Sequence, residues 1–153
     1  MPRTAKMIAR VALIAALVTG ISTVGSPAGA RTLCVRGRMY RATNLSRTNH
    51  SLRRVDIHYA MSKLARRHSL AMARKGYIFH TSDPSTYYLN GVRWSTWGEN
   101  VGVTPGTVAE LEQAFMSSTP HRANILNSGF RRVAVGTYRD DAGYLWVTVF
   151  FYG

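Results

Sequence analysis

The stretch that decides the fold is FRRVAVGTYRDDAGYLWVTVFFY, residues 130–152. Two apolar runs flank the turn residues 139–143, so the pattern predicts a β-hairpin with strands over 130–138 and 144–152. Both alternating sets of the second strand are large and mostly apolar, so helices predicted earlier in the chain are expected to cover both sheet faces. The sequence thus predicts an α+β fold, a single-domain three-layer α-β-α sandwich with a mainly antiparallel sheet.

The first predicted helix carries a basic outer stripe. Apolar residues recur at helical spacing over 57–72, and Lys63, Arg66, Arg67 and Arg74 cluster on the opposite side. A nucleic-acid-binding face would usually interleave aromatic residues with such charges, and this stripe contains none. We interpret the stripe as a solvated face first and a binding surface second, and nucleic acid is not an expected partner.

Two more helices are predicted between this helix and the hairpin. Residues 107–110 have the capping-box form Thr-Val-Ala-Glu and predict a helix to about Ser118, on which Glu112 is expected to face solvent. Thr119 and Pro120 then resemble an N-cap followed by a first-turn proline, and Gly129 is placed to end a short helix. His121 would lie in the first turn of that helix.

The N-terminus has the form of a secretory signal peptide over residues 1–30. Basic residues precede the apolar run 11–18, and Ala28-Gly29-Ala30 fits a cleavage site before Arg31. A retained membrane anchor is the alternative, but a spanning helix needs roughly 20 apolar residues and this run is much shorter. We therefore expect a secreted, extracellular domain over 31–153, with 31–37 poorly ordered.

Charge and cysteine content restrict the partners and the means of stabilisation. The formal net charge is +13, and removing the three basic residues of the leader leaves +10. Such a balance favours contact with anionic envelope polymers or lipid head groups, although it is also typical of a merely soluble basic surface. Cys34 is the single cysteine, so no internal disulfide can form and the fold must depend on packing.

Three residues form a candidate metal site. His80 closes Gly-Tyr-Ile-Phe-His, Glu99 lies in Trp-Gly-Glu-Asn-Val-Gly, and His121 opens His-Arg-Ala-Asn-Ile-Leu. Two imidazoles and a carboxylate are a usual ligand set for a divalent cation such as zinc with an open coordination position. A capping or packing role fits the local sequence of His121 equally well. The remaining histidines receive no ligand role: His68 is expected to be a hydrogen-bonded core residue, and no role is given to His50 or His58.

Several segments of the sequence, which follow one another in the family's order, resemble the CAP superfamily (cysteine-rich secretory, antigen five, pathogenesis-related) in its short bacterial SCP-like form. The resemblance extends from about Asn44 to the C-terminus and is carried by 64–73, Phe79-His80, 98–102, 114–118, 120–126, 133–136 and 145–150. It implies an α-β-α sandwich with a cleft that holds two histidines and two acidic residues, in some members around a divalent cation.

The family positions transfer to this chain with one departure. By the resemblance, His80 and His121 occupy the positions of the family's two cleft histidines, and Glu99 occupies the position of one of its two acidic residues. The other acidic place falls on Ser118. A serine hydroxyl is a poor metal ligand beside a carboxylate, so this departure lowers the expected affinity for a cation.

Two function classes follow from these residues. The first is a non-enzymatic, monomeric secreted module that binds a small apolar ligand, an anionic envelope component or a protein, as several relatives bind sterols, lipids or proteins. The second is a metal-assisted hydrolase in which His80 and His121 hold zinc and Glu99 is either a ligand or the general base. Asp83 is the nearest spare carboxylate, but Asp83-Pro84 is typical of a turn. No arrangement for covalent catalysis is found, so we favour the binding module.

Aromatic residues cluster around the segment between His80 and Glu99. They can line an apolar cleft, contact a membrane surface peripherally, or cover the core. The set comprises Tyr77, Phe79, Tyr87, Tyr88, Trp94 and Trp97.

Overall fold

The computed structural model describes the backbone of residues 28–153 and the side chains of residues 35–153. The signal peptide predicted over 1–30 lies almost wholly outside the described residues and stays a prediction. No helix in the described part of the chain is long and apolar enough to cross a membrane. The elements are α1 (Ala28–Thr48), β1 (Asp56–Ile57), α2 (Tyr59–Lys75), α3 (Pro84–Tyr87), β2 (Trp97–Thr104), α4 (Val108–Ser117), α5 (Thr119–Ile125), β3 (Arg132–Arg139) and β4 (Leu145–Tyr152).

One four-stranded sheet, in the order β1-β3-β4-β2, forms the middle layer. The predicted hairpin is present as β3 and β4, whose antiparallel register pairs Arg132 with Tyr152. β2 adds antiparallel to the other edge of β4 and places Glu99 opposite Phe150. β1 pairs parallel with β3. The sheet is therefore mixed rather than mainly antiparallel, because the long connection that contains α2 returns the chain in the direction of β1, as parallel pairing requires.

Helices cover both faces of the sheet, as the apolar pattern of β4 predicts. Every residue of β4 is buried. Phe150 and Ala134 pack in one cluster with Met61 of α2. Their sequence neighbours Phe151 and Val135 point to the opposite face and pack with residues of α1, α4 and α5. The three-layer α-β-α sandwich is thus confirmed.

The helices predicted from periodicity and capping also form. α2 ends before Gly76, whose φ of 75° places it in the left-handed region and whose N–H donates to the carbonyls of Met72 and Ala73. α4 begins with the predicted capping box: the Glu110 N–H donates to Thr107 Oγ1 at 3.2 Å, and the Thr107 N–H donates to Glu110 Oε2 at 2.6 Å.

The helix α1 was not predicted. Its backbone spans residues 31–37, including Cys34, and the expectation that this stretch is poorly ordered stays a prediction. The physical reason for the helix is tertiary packing, because Val35 is packed against the core cluster that contains the fully buried Met39. α1 lies in the same layer as α4 and α5 and makes contacts with both.

The expectation that Glu112 faces solvent is wrong. Its position is four residues beyond Val108 and three before Phe115, so it lies within the apolar stripe of α4 and is only 6% exposed. Its carboxylate accepts hydrogen bonds from two hydroxyls of α1, Ser46 Oγ at 2.7 Å and Thr43 Oγ1 at 3.2 Å. Glu112 therefore joins α1 to α4 through a buried polar contact.

Burial raises the pKa of Glu112 above the usual 4.5, and the two hydroxyl bonds oppose this only in part. Because the folded pKa exceeds the unfolded one, this group's stabilising contribution is complete below pH 4.5 and is lost as pH rises through the raised pKa. We expect Glu112→Gln to remove that decline, so that the variant equals or exceeds the wild type in stability at pH 7. Urea denaturation at pH 4 and pH 7 measures this, and a large loss of stability at pH 7 would contradict it.

Candidate functional site

The edge strand β2 places two neighbouring residues on opposite faces of the sheet. Successive side chains of a strand alternate in direction. Glu99 points to the α2 face, where its carboxylate meets His80. Asn100 points to the other face, where its amide donates to the main-chain carbonyl of His121 at 3.0 Å. Two adjacent residues of β2 therefore contact the two predicted histidines, Glu99 at the ring of His80 and Asn100 at the main chain of His121.

The Glu99 carboxylate is an enclosed acceptor. Its side chain is 2% exposed. Oε2 accepts from the main-chain N–H of Thr81 at 2.9 Å and lies 3.0 Å from Nδ1 of His80. Oε1 accepts from the Thr81 hydroxyl at 2.7 Å and from the Tyr88 hydroxyl at 3.4 Å. Both oxygens are thus bound by donors from the segment that follows α2.

His80 and His121 present two imidazoles in different states of burial. The side chain of His80 is 60% exposed, and its Nδ1 contact with Glu99 leaves Nε2 outside the described hydrogen bonds. His121 lies in the first turn of α5, as predicted, and its ring packs at 5.1 Å from the ring of Phe115. Burial, and secondarily the charge of His80, lowers the pKa of His121. Both effects favour the neutral form of the His121 ring.

Asn124 braces the site from α5, a role that was not predicted. Its side-chain amide lies 3.2 Å from the carbonyl of Glu99 and 2.8 Å from Oδ1 of Asn100, donating to both. Asn100 and Asn124 belong to the same two motifs as Glu99 and His121, and this proximity in sequence was the signal that could have found them. These amides fix the short α5, and hence His121, against β2.

His68 lies beside Glu99 in the core, as a hydrogen-bonded core histidine was expected to. It is 6% exposed, and its Nδ1 lies 3.3 Å from Thr148 Oγ1 and 3.5 Å from Glu99 Oε1. Burial lowers the pKa of His68, although the charge of Glu99 acts in the opposite direction. A neutral ring here packs edge-to-face on Phe79 at 5.0 Å.

Ser118 lies between α4 and α5 as the N-cap of α5. Its carbonyl accepts from the N–H of Arg122 at 2.8 Å, and its side chain makes no capping hydrogen bond. Within residues 35–153, no group of three or more His, Cys, Asp or Glu side chains is arranged to hold a metal ion. The Glu99 carboxylate points into its hydrogen-bond network, and the prediction that His80, Glu99 and His121 hold a cation stays a prediction.

A continuous row of aromatic rings borders Glu99. Tyr88 is buried and stacks on Phe150 at 4.1 Å, and Trp97 stacks on the same ring at 6.0 Å. Tyr87 meets Tyr88 edge-to-face at 4.8 Å. The two ends of the row, Tyr87 and Trp97, are 37% and 42% exposed. The aromatic cluster predicted around this segment thus divides into a buried centre and exposed ends.

Solved structures of bacterial surface proteins share this fold. An extracellular protein from Bacillus anthracis that contains an SCP domain matches with a TM-score of 0.68 and 24% identity, over 84% of this chain and 44% of that one. An outer surface protein of Borrelia burgdorferi also matches with a TM-score of 0.68, at 14% identity, over 76% of this chain and 90% of that one. These likenesses concern the fold.

Sequence comparison supports the same grouping. The chain is 34% identical to the uncharacterized protein YkwD of Bacillus subtilis (strain 168) over 113 residues. This aligned stretch covers 71% of this chain and 43% of YkwD. The chain thus spans less than half the length of this curated relative. The sequence profile of the cysteine-rich secretory protein family matches residues 40–151. The chain therefore belongs to the cysteine-rich secretory protein (CAP) family.

Proposed function

We propose that the domain is a non-enzymatic secreted module that binds a component of the bacterial cell envelope in the cleft beside His80 and His121. The observation that carries the proposal is the enclosure of Glu99, whose two oxygens accept hydrogen bonds from Thr81 and Tyr88 as well as contacting His80. A general base needs an acceptor that reaches the substrate or a water. An acceptor saturated by the protein serves to position its partners.

Asp83 does not supply the missing base. Its carboxylate is the N-cap of α3 and accepts from Ser85 Oγ at 2.5 Å and from the N–H of Thr86 at 3.1 Å. These hydrogen bonds lower its pKa to about 2. A carboxylate with so low a pKa is a weak proton acceptor at neutral pH, which favours binding over hydrolysis as the function of the cleft.

The proposal includes a divalent cation whose protein ligands would be the imidazoles of His80 and His121. A ligand histidine is usually oriented by a carboxylate on its other ring nitrogen, and Glu99 stands in this relation to His80. His121, whose neutral form is favoured, offers the second nitrogen. When bound, a cation such as zinc would add a Lewis-acidic contact for an anionic ligand. With Ser118 at the second acidic position, its affinity is expected to be modest.

The exposed rings supply the apolar part of the cleft. Trp97 and Tyr87 are partly exposed, and their contacts with Phe150 and Tyr88 place them on the side of the sheet to which Glu99 points. Aromatic rings of this kind pack against apolar ligand surfaces, while nearby polar groups fix the orientation. We therefore expect Trp97 to contribute to affinity and His80 and His121 to contribute to selectivity.

Sedimentation with isolated bacterial cell-wall fragments tests the proposal. We expect the protein to co-sediment without releasing soluble sugar or peptide fragments, and Trp97→Ala to reduce retention by about tenfold. Trp94→Ala is the matched control, because Trp94 is 43% exposed and takes part in none of the described ring contacts. Thermal unfolding checks that both variants fold.

Two results would contradict the proposal. Release of soluble fragments that stops in His121→Ala would identify a hydrolase. Equal retention of Trp97→Ala and wild type would show that the cleft is not the binding surface.

A further inference from the structure

Most acidic side chains of this protein accept hydrogen bonds from within the fold, and none in the described part of the chain pairs with a lysine or an arginine. The close contacts between carboxylates and basic groups among the described side chains join Glu99 to the imidazoles of His68 and His80, and none involves a lysine or an arginine. Five of the seven acidic residues accept hydrogen bonds as caps, buried acceptors or turn residues: Asp83, Glu99, Glu110, Glu112 and Asp140. The positive charge is therefore available to a partner.

Part of this charge is arranged in a line along α2. The helix has no acidic residue, and its lysine and arginine side chains are all exposed. At about 100° per residue, Lys63, Arg67 and Arg74 fall within an arc of about 40° and extend over about 16 Å of the helix. We call these three residues the α2 line. It runs on the side of α2 that faces away from the sheet.

Folding alone does not account for the α2 line. Lys63 and Arg67 are four residues apart, a spacing at which like charges destabilise a helix. Of the three, only Arg74 lies in the last turn, where the helix dipole favours a cation. By contrast with Arg66, which stacks over Tyr138, none of the three makes a hydrogen bond, ion pair or ring contact in the described structure.

We propose that the α2 line binds a flexible phosphodiester polyanion, of which poly(glycerol phosphate) is the simplest example. Guanidinium groups bind phosphate oxygens in a bidentate manner, and a row of cations matches a chain of regularly spaced phosphates. Tyr87 connects α2 with the cleft, since its hydroxyl donates to the main-chain carbonyl of Leu64, the residue after Lys63, at 3.2 Å. The inference goes beyond the cleft, because it assigns a second surface and its own ligand chemistry.

Two other polyanionic partners fit the surface less well. An amphipathic helix that lies on a membrane inserts its apolar face, whereas the apolar face of α2 is buried against the sheet through Met61, Ala65 and Met72. Single-stranded nucleic acid is bound by aromatic side chains on which bases stack, and the exposed aromatic residue of α2, Tyr59, already has Arg36 over its ring at 5.4 Å. A polymer without bases or acyl chains needs only the cations that are present.

The test measures the affinity of the full chain for soluble poly(glycerol phosphate) between about 50 and 300 mM salt, a range over which counterion release is resolved. Lys63→Gln/Arg67→Gln/Arg74→Gln is compared with Arg38→Gln/Arg41→Gln/Arg54→Gln, which removes the same charge from exposed residues of α1 and the following loop. We expect about tenfold or greater loss in the α2 variant, with a shallower salt dependence, and less than about threefold loss in the control.

Several outcomes would overturn the proposal. Equal losses in both variants would show that binding follows net charge, and no loss in either would show that α2 is not the surface. Tighter binding to anionic vesicles or to an oligonucleotide than to the polymer would identify another partner. The polymer affinity of Trp97→Ala separates the two surfaces: we expect it to equal that of the wild type, and a loss in Trp97→Ala without a loss in the α2 variant would leave the cleft proposal intact and reject this one.

Discussion

Replacing Gly136 with alanine is expected to lower the free energy of unfolding by about 4 kcal/mol or to prevent folding. Gly136 lies in β3 directly beneath α2, and a Cβ atom there would overlap the main-chain carbonyl of Ala65 and the main-chain nitrogen of Arg66. The obstructing atoms are backbone, so a change of rotamer cannot relieve the overlap. The helix would have to move off the sheet and would open the core around Ala65 and Phe150.

Gly37→Ala is the matched control for this prediction. Gly37 lies in α1, and the nearest neighbour of an added methyl group would be the flexible Arg41 side chain at 3.5 Å. Alanine is expected to stabilise this helix by about 0.5–1 kcal/mol. Urea denaturation of both variants measures the difference. A Gly136→Ala protein as stable as wild type would show that α2 does not rest on β3 as described.

The sandwich was predictable because its signals are local. The alternation in β3 and β4, the period of α2 and the capping box at Thr107 each depend on residues close in sequence. α1 and β2 were not predicted, since these two elements are stabilised by packing against segments that are distant in sequence. The burial of Glu112 follows from α1, which covers the stripe of α4 that Glu112 shares.

Arg47 illustrates the same limit. Its guanidinium is fully buried and donates to the main-chain carbonyls of Arg53, Ile125 and Asn127 at 2.7–2.9 Å. An arginine that caps a helix 78 residues away gives no local signal. It joins the C-terminal ends of α1 and α5, and so supports the element that carries His121.

The candidate site was predictable in part. The family motifs identified His80, Glu99 and His121, and the prediction that Glu99 ligates a metal stays a prediction. The sequence did not indicate that Thr81 and Tyr88 would occupy the carboxylate, nor that Asn100 and Asn124 would hold its backbone. These partners come from the segment after α2 and from α5, which meet at β2 only in the folded chain.

Glu99→Gln is expected to lower the free energy of unfolding by about 2–4 kcal/mol. The amide is nearly isosteric, but its NH2 group cannot accept the hydrogen bonds that one carboxylate oxygen now receives. At the Oε2 position the NH2 group faces the main-chain N–H of Thr81, and at the Oε1 position the hydroxyls of Thr81 and Tyr88 have to change from donors to acceptors. If Glu99 were a catalytic carboxylate that destabilises the fold, its replacement would leave the free energy of unfolding unchanged or raise it.

The most direct test of Glu99 as a positioning acceptor is urea denaturation at pH 7 of Glu99→Gln beside Glu112→Gln. Both substitutions change a buried glutamate in the same way, and both proteins keep the same size and shape. We expect Glu99→Gln to lose about 2–4 kcal/mol while Glu112→Gln equals or exceeds the wild type. A Glu99→Gln variant as stable as wild type would contradict the account and return Glu99 to the role of ligand or general base.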